Sequence, residues 1–373
     1  MNIARIIRVL MIVAAVLYGA ALWAEGNPLS VICVESETGL VLHEENADIV
    51  RPPASMVKLM QLLLLEDGIA SGTFSLDSPI RVSEFAKSMG GTQVFLNAGE
   101  SHPLREMIPA VTVASANDAA QAICESLWGS VPAYLQAMNQ RAAQLGMTRT
   151  VFHSAHGLPP ARGQESDMTT ARDMAQLARD CCRRPQILSW TSIPQLAFRP
   201  KDVPKHSTNK LLGRLAGCDG LKTGYTRAAG FCITATAKRN DIRLICVVMG
   251  EASNRGRFDT AGAMLEKCFA EVQRVRVVQG GSYLTRPVTI VNGEERAVRM
   301  AAQDDIWVTV KATDVPRLET FTVCPERVSA PLSGQAAVGE VRVQLGEVVL
   351  ARTPLVTPYD LVEATKSAAL CVR

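Results

Sequence analysis

Ser55-Met56-Val57-Lys58, Ser115-Ala116-Asn117 and Lys222-Thr223-Gly224 occur in that order along the chain. Together they supply a hydroxyl nucleophile, an amine three residues on, a second hydroxyl and a second amine. These are the parts of a serine acyl-transfer site that uses no histidine. A neutral amine takes the proton of the attacking hydroxyl, while the second hydroxyl and the second amine serve the leaving group. A lysine can act this way where burial or a nearby cation lowers its pKa, and Lys222 would be that cation for Lys58. Each motif alone is weak. Ser207-Thr208-Asn209-Lys210 also satisfies S-x-x-K, and its first three residues satisfy S-x-N.

The elements that must carry these residues separate the two serines. Ser55 follows Arg51-Pro52-Pro53-Ala54 and opens Met56 to Leu65, a run rich in Met and Leu and free of Gly and Pro. Prolines ahead of strong helix formers mark a helix start. The run is apolar nearly all round, which predicts a central, buried helix. Three residues is close to one turn, so Ser55 and Lys58 share a face, and the helix start leaves unpaired N–H groups near the hydroxyl. An N-cap is the plainer use of such a serine. Lys58 argues against it, because an ammonium group on a buried face is costly unless paired or neutral. Ser207 follows Pro200-Lys201-Asp202-Val203-Pro204-Lys205, a broken polar stretch that reads as loop.

Ser115-Ala116-Asn117 lies where the β-branched run Val111-Thr112-Val113 gives way to an Ala-rich segment, so the triplet falls at a helix start, where capping is the competing use. Lys222-Thr223-Gly224 reads as a strand, with Gly224 removing a side chain where a substrate backbone must come close.

With these contexts the chain resembles the low-molecular-mass penicillin-binding proteins that act as serine-type D-Ala-D-Ala carboxypeptidases. Beyond the triplets, Gly90-Gly91-Thr92-Gln93-Val94-Phe95-Leu96 with Gly99-Glu100, His156-Gly157-Leu158, Met168-Thr169-Thr170-Ala171-Arg172-Asp173-Met174-Ala175 and Asp219 to Thr226 all resemble that family's signatures. The likeness runs from about Leu29 to Phe269 and continues more weakly beyond. Ala116 stands where many members carry Gly or Asp, and Ser207 where members often carry Asn.

The resemblance implies an α+β fold: a penicillin-recognising, β-lactamase-like domain with a sheet flanked by helices, then a small all-β domain. It implies catalysis by Ser55, Lys58 and Ser115, with substrate held by Lys222, Thr223, Asn117, Tyr225 and Arg257. Backbone N–H groups of Ser55 and Tyr225 would form the oxyanion hole. It implies no metal or organic cofactor. The partners it implies are peptidoglycan stem peptides and β-lactams, the latter as covalent inhibitors. Two alternatives stand beside it. A β-lactamase of class A type needs a carboxylate-activated water, and Glu165-Ser166-Asp167-Met168-Thr169 does not match that class's E-x-x-L-N segment. A scaffold without catalysis would not need Ser55, Lys58, Ser115 and Lys222 intact.

Whole-chain properties agree. At 373 residues and 47% hydrophobic content the chain can hold more than one domain. A net charge of +3 without a long basic run gives no argument for nucleic acid. Basic residues near Met1 followed by the apolar Val9 to Trp23 read as an export signal with a cleavage point at Ala24, an uncleaved anchor being the alternative. Of the ten cysteines, Cys33, Cys232 and Cys246 sit in strand-like runs and read as buried thiols. His153 and His156 invite a zinc reading but lack further ligands nearby.

Periodicity predicts an early hairpin at Val31–Val34 and Leu40–His43, and a mainly helical stretch to about Arg184. A strand pair follows at Phe231–Ala237 and Ile242–Met249, then a helix over Thr260–Phe269. The expected organisation is a signal over 1–24, a catalytic domain over 25–271, an all-β domain over 272–358 and a tail over 359–373. In the tail, Leu361, Ala364, Ala368 and Cys371 could share one helical face of mostly small residues. So small a face should bind a bilayer only weakly, which leaves stable membrane contact to the N-terminal segment.

Overall fold

The computed structural model describes residues 28–283 and 286–364. The export-signal segment 1–24 and the end of the tail from residue 365 lie outside the described residues.

The early hairpin is β1 (Ser30–Glu35) and β2 (Val41–Glu45). Helices then dominate: α1 (Lys58–Ala70), α2 (Leu104–Thr112), α3 (Asn117–Trp128), α4 (Val131–Gln144) and α5 (Ala171–Cys182). Three long strands follow, β3 (Cys218–Thr226), β4 (Gly230–Arg239) and β5 (Ile242–Glu251), and then α6 (Gly256–Glu271). The expected strand pair and closing helix are thus present with longer ends. The sheet order is β2-β1-β5-β4-β3, so strands from both ends of this part of the chain share one sheet, and β3 is an edge.

Burial follows from composition. Lys58 through Leu63 and Leu65 are all buried in α1, as a helix apolar on every side requires. It packs against α4 and α5. Six consecutive residues are buried in β4 and six in β5, the signature of strands covered on both faces. Cys33, Cys232 and Cys246 are each 0% exposed. Among the described residues no helix is long and apolar enough to cross a membrane.

Within the described residues the chain forms two compact units, one of residues 28–32, 43–236 and 246–263, the other of residues 33–42, 237–245 and 264–364. The second holds the short alternating strands expected beyond residue 272. Ala301–Ala302, Val348–Val356, Ala337–Leu345 and Leu318–Val323 form one sheet in that order. A three-stranded sheet and the pair Val272–Val278 with Ile306–Lys311 complete it, around Met300, Val310, Val341, Val343 and Leu355. The tail expected to begin at residue 359 departs from that reading. Leu361 is 3% exposed and exchanges backbone hydrogen bonds of 2.8 and 3.0 Å with Leu332, and Ala364 N–H donates to the Asn292 carbonyl at 2.7 Å. A leucine that fills the β core cannot also serve an amphipathic helix on a membrane.

Candidate active site

Ser55 lies on a short 3₁₀ turn, Ala54–Val57, that leads into α1 at Lys58. The helix start expected at Ser55 is therefore tighter than an α-turn, with Met56 N–H donating to the Pro53 carbonyl at 3.2 Å. Two glycines wall this turn in. A Cβ on Gly157 would fall 2.1 Å from the Ala54 carbonyl oxygen, and one on Gly224 would fall 2.7 Å from that of Pro53. Gly157 also has φ 79°, a conformation open to glycine without steric cost.

Lys58 is fully buried. Its Nζ lies 2.9 Å from Ser55 Oγ, 2.7 Å from Asn117 Oδ1 and 2.8 Å from the His156 carbonyl oxygen. Two of these partners can only accept. Three acceptors match the three N–H bonds of an ammonium. On losing one proton the amine would keep its N–H bonds to Asn117 and His156 and turn a lone pair to the Ser55 hydroxyl. Burial, then the Lys222 cation, hold Lys58 well below the ordinary lysine range, against the opposing pull of Asp167 and Asp118.

Ser115 sits between α2 and α3 with φ 58°, a strained backbone for a residue with a Cβ. The neighbouring hydrogen bonds from Ala116 N–H to the Ala110 carbonyl (3.0 Å) and from Asn117 N–H to the Thr92 carbonyl (2.8 Å) hold it. Neither polar residue of the triplet caps α3, whose N-cap Ala116 has no side-chain bond. Lys222 Nζ instead donates to Ser115 Oγ at 2.8 Å and to the Thr223 carbonyl at 3.0 Å. Lys222 is 1% exposed, and burial, then the Arg257 cation, bring its pKa down to about 7. Asn117 commits both ends of its amide internally, Oδ1 to Lys58 and Nδ2 to the Gly90 carbonyl at 2.8 Å.

Arg257, on α6, donates to the Gly224 carbonyl at 2.9 Å and the Cys232 carbonyl at 3.2 Å. Its guanidinium lies 4.8 Å from the Phe258 ring and 5.4 Å from the Phe231 ring, and Phe231 stacks on Tyr225 with centroids 4.1 Å apart. No carboxylate pairs with it among the described residues.

A cleft of about 310 Å³ gathers the three motifs. Ser55, Ser115, Asn117, Thr223, Tyr225 and Arg257 line it, so all three sequence triplets and the arginine meet at one place. Lys58 and Lys222 lie behind this wall, joined to it through Ser55 and Ser115. Sequence reasoning did not single out Thr92, Leu158 and Thr208 as lining residues, nor the His156 carbonyl as a partner of Lys58. Ser207 is absent from the lining. It is 5% exposed, its Oγ accepts from Asn209 N–H at 3.2 Å, and Lys210 Nζ reaches its carbonyl rather than its hydroxyl. The histidines are engaged elsewhere: His153 Nε2 lies 3.2 Å from Glu165, and His156 Nδ1 accepts from Leu158 N–H at 3.1 Å.

Residues 24–253 match the family model described as D-alanyl-D-alanine carboxypeptidase, and residues 273–363 match that of the penicillin-binding protein 5 C-terminal domain. The D-alanyl-D-alanine carboxypeptidase DacF of Bacillus subtilis is 30% identical over 339 residues, which is 90% of this chain and 86% of the relative. Penicillin-binding protein 5 from Haemophilus influenzae superposes with a TM-score of 0.75 at 25% identity, over 90% of this chain and 97% of that one. Penicillin-binding protein D2 from Listeria monocytogenes, solved in its ampicillin-bound form, is similar at 32% identity with a TM-score of 0.58. That match covers 64% of this chain and 96% of that one. With the family model covering more than half of the sequence and a relative matched over nearly its whole length, the chain belongs to the D-alanyl-D-alanine carboxypeptidase family.

Proposed function

We propose that this chain removes the terminal D-Ala from peptidoglycan stem peptides through an acyl-enzyme on Ser55. The observation that carries this reading is the setting of Lys58, fully buried with its Nζ 2.9 Å from the Ser55 hydroxyl and held there by Asn117 and the His156 carbonyl. Ser55 Oγ attacks the penultimate D-Ala carbonyl as its proton passes to Lys58 Nζ. The oxyanion forms between the N–H groups of Ser55 and Tyr225, and the close approach of Gly224 to Ser55 N supports this placement. The C–N bond then breaks, and the leaving amine takes a proton through Ser115, which Lys222 holds. Lys58 passes on the proton it took, which balances the one delivered to the amine. It then acts again as base as water cleaves the acyl-enzyme and Ser55 Oγ is reprotonated. Lys222, Thr223 and Arg257 bind the carboxylate of the departing residue, and Arg257, which has no carboxylate partner among the described residues, suits an anion. As the sheet edge, β3 offers its backbone to an extended peptide, with Tyr225 at the mouth and Asn117 holding Lys58.

The same chemistry captures β-lactams as slow acyl-enzymes. The catalytic part is assigned to residues 25–271 and a supporting role to the β domain. A substrate in the cell wall places the work outside the cytoplasm, reached through the N-terminal segment as an export signal. A β-lactamase is the second reading, and the position of Glu165 weighs against it. Its side chain is 80% exposed, pairs with His153 and does not line the cleft. The test is to give the purified protein a peptide ending in D-Ala-D-Ala and, separately, penicillin. Release of one D-Ala with penicillin held far longer than a turnover is expected. Rapid penicillin hydrolysis without D-Ala release would favour the lactamase.

A pH dependence follows from Lys222. Its cationic form holds the substrate carboxylate and is lost in the free enzyme as pH rises through about 7. We expect kcat/KM to fall above that point, by about tenfold per pH unit. A bound carboxylate restores the proton to Lys222, so kcat should fall less than kcat/KM. A KM that stays flat from about pH 6 to 9 would contradict the assignment.

A further inference from the structure

The His156 carbonyl takes a hydrogen bond from Lys58, and a carbonyl can do this usefully only if its loop is held still. Residues His153 to Gly157 carry no regular secondary structure. What holds them is Asp167, a carboxylate only 4% exposed that the proposed mechanism does not use. Its Oδ1 accepts from His153 N–H at 2.6 Å and from Ser154 N–H at 2.9 Å, and its Oδ2 accepts from the Ser154 hydroxyl at 2.6 Å. All three partners donate, which is the pattern of an ionised carboxylate. Ser154 Oγ in turn accepts from Gly157 N–H at 2.8 Å and from His156 N–H at 3.4 Å. The line from Asp167 through Ser154 to the 156–157 backbone therefore ends at the oxygen 2.8 Å from Lys58 Nζ and 3.3 Å from Ser55 Oγ.

We propose that Asp167 is a positioning residue for acylation: through its hydrogen bonds to His153 and Ser154 it fixes the His156 carbonyl that orients Lys58. This rests on the reading of Lys58 as the base for Ser55. The charged and titratable groups facing Lys58 are Lys222, Asp167 and Asp118, with His156 beside it. Those facing Asp167 are His153, Lys58 and the buried Tyr134 hydroxyl. Burial and Lys222 pull the Lys58 pKa down, while Asp167 and Asp118 pull it up. Removing the Asp167 charge lowers it further, so the neutral amine persists to lower pH and is a weaker base at the plateau.

The two parts of the role separate in two variants. Asp167→Asn removes the charge but keeps an acceptor for the loop. Ser154→Ala keeps the charge but breaks the bridge to Gly157 and His156. Acylation of the full chain by a fluorescent penicillin is followed from about pH 4 to 9, with thermal melts in parallel. Asp167→Asn is expected to move the acid limb of the rate profile to lower pH and to reduce the plateau. Ser154→Ala is expected to reduce the plateau about tenfold with the limb in place. An unmoved limb in Asp167→Asn, with or without a lower melting temperature, makes Asp167 purely structural and overturns the proposal. So does a limb that moves up. Should Asp167→Asn fail to fold, a wild-type rate in Ser154→Ala overturns the proposal and a slowed one supports it. Ser55→Ala and Lys58→Arg run alongside. If either still labels, the Ser55–Lys58 reading fails and this proposal falls with it, an outcome distinct from labelling lost in both controls and an Asp167 profile unchanged.

Discussion

Ser55→Ala is expected to abolish D-Ala release and covalent penicillin labelling together, a loss of at least about 10³-fold, with the melting temperature little changed. The change deletes one oxygen from a turn whose backbone is held by Pro53 and by the glycines at 157 and 224, so the fold has no reason to respond. The Ser55 hydroxyl lies 2.9 Å from the buried Lys58 amine at the head of α1, whereas Ser115 is engaged by Lys222 and Ser207 faces its own turn. Ser207→Ala serves as the control and should label normally. Labelling that survives in the first variant and disappears in the second would mean that the wrong S-x-x-K motif has been placed at the reaction centre.

Lys58→Arg and Lys222→Arg should differ sharply, although each exchanges a lysine for an arginine. Arginine stays charged at any working pH and has no lone pair to offer Ser55, so Lys58→Arg should lose about 10³-fold or more in acylation. At position 222 the required property is charge beside Ser115 and the substrate carboxylate, which a guanidinium retains with poorer fit. A loss of about 10- to 100-fold is expected there. Both sites are fully enclosed, and a longer side chain strains them, so melts must accompany the kinetics. Equal acylation rates in two folded variants would remove the distinction between a base and a charge-bearing partner.

The parts of this site that could be read in the sequence are those whose chemistry is written in side chains. Ser55, Lys58, Ser115 and Lys222 declare themselves by type and spacing, and the apolar run after Ser55 places Lys58 on a buried helix. The fold class was legible because β4 and β5 are long buried strands and α1 is apolar all round. The His156 carbonyl was not legible as a partner of Lys58, because every residue has a carbonyl and only the loop's path decides which one meets Lys58. Gly157 had the same difficulty: its need for φ 79° and for close approach to Ala54 exists only after folding. By spacing alone Leu361 could share a helical face with Ala364, Ala368 and Cys371. Its pairing with Leu332 comes from a strand-like contact across nearly thirty residues that local periodicity cannot see.

The two enclosed lysines also act on the fold as a thermodynamic whole. Lys222 carries its proton up to about pH 7 when folded, against 10.5 for a free lysine side chain. Between those values the unfolded chain binds a proton that the native protein does not, so native stability rises with pH across that window. Below about pH 7 both states are protonated and the full cost of the enclosed charge is felt. Lys58, also depressed, adds to the effect in the same sense. The empty protein is thus under electrostatic tension near neutrality, and a bound carboxylate relieves it. At Lys222 stability and substrate binding therefore pull in opposite directions, while at Lys58 both favour the neutral amine.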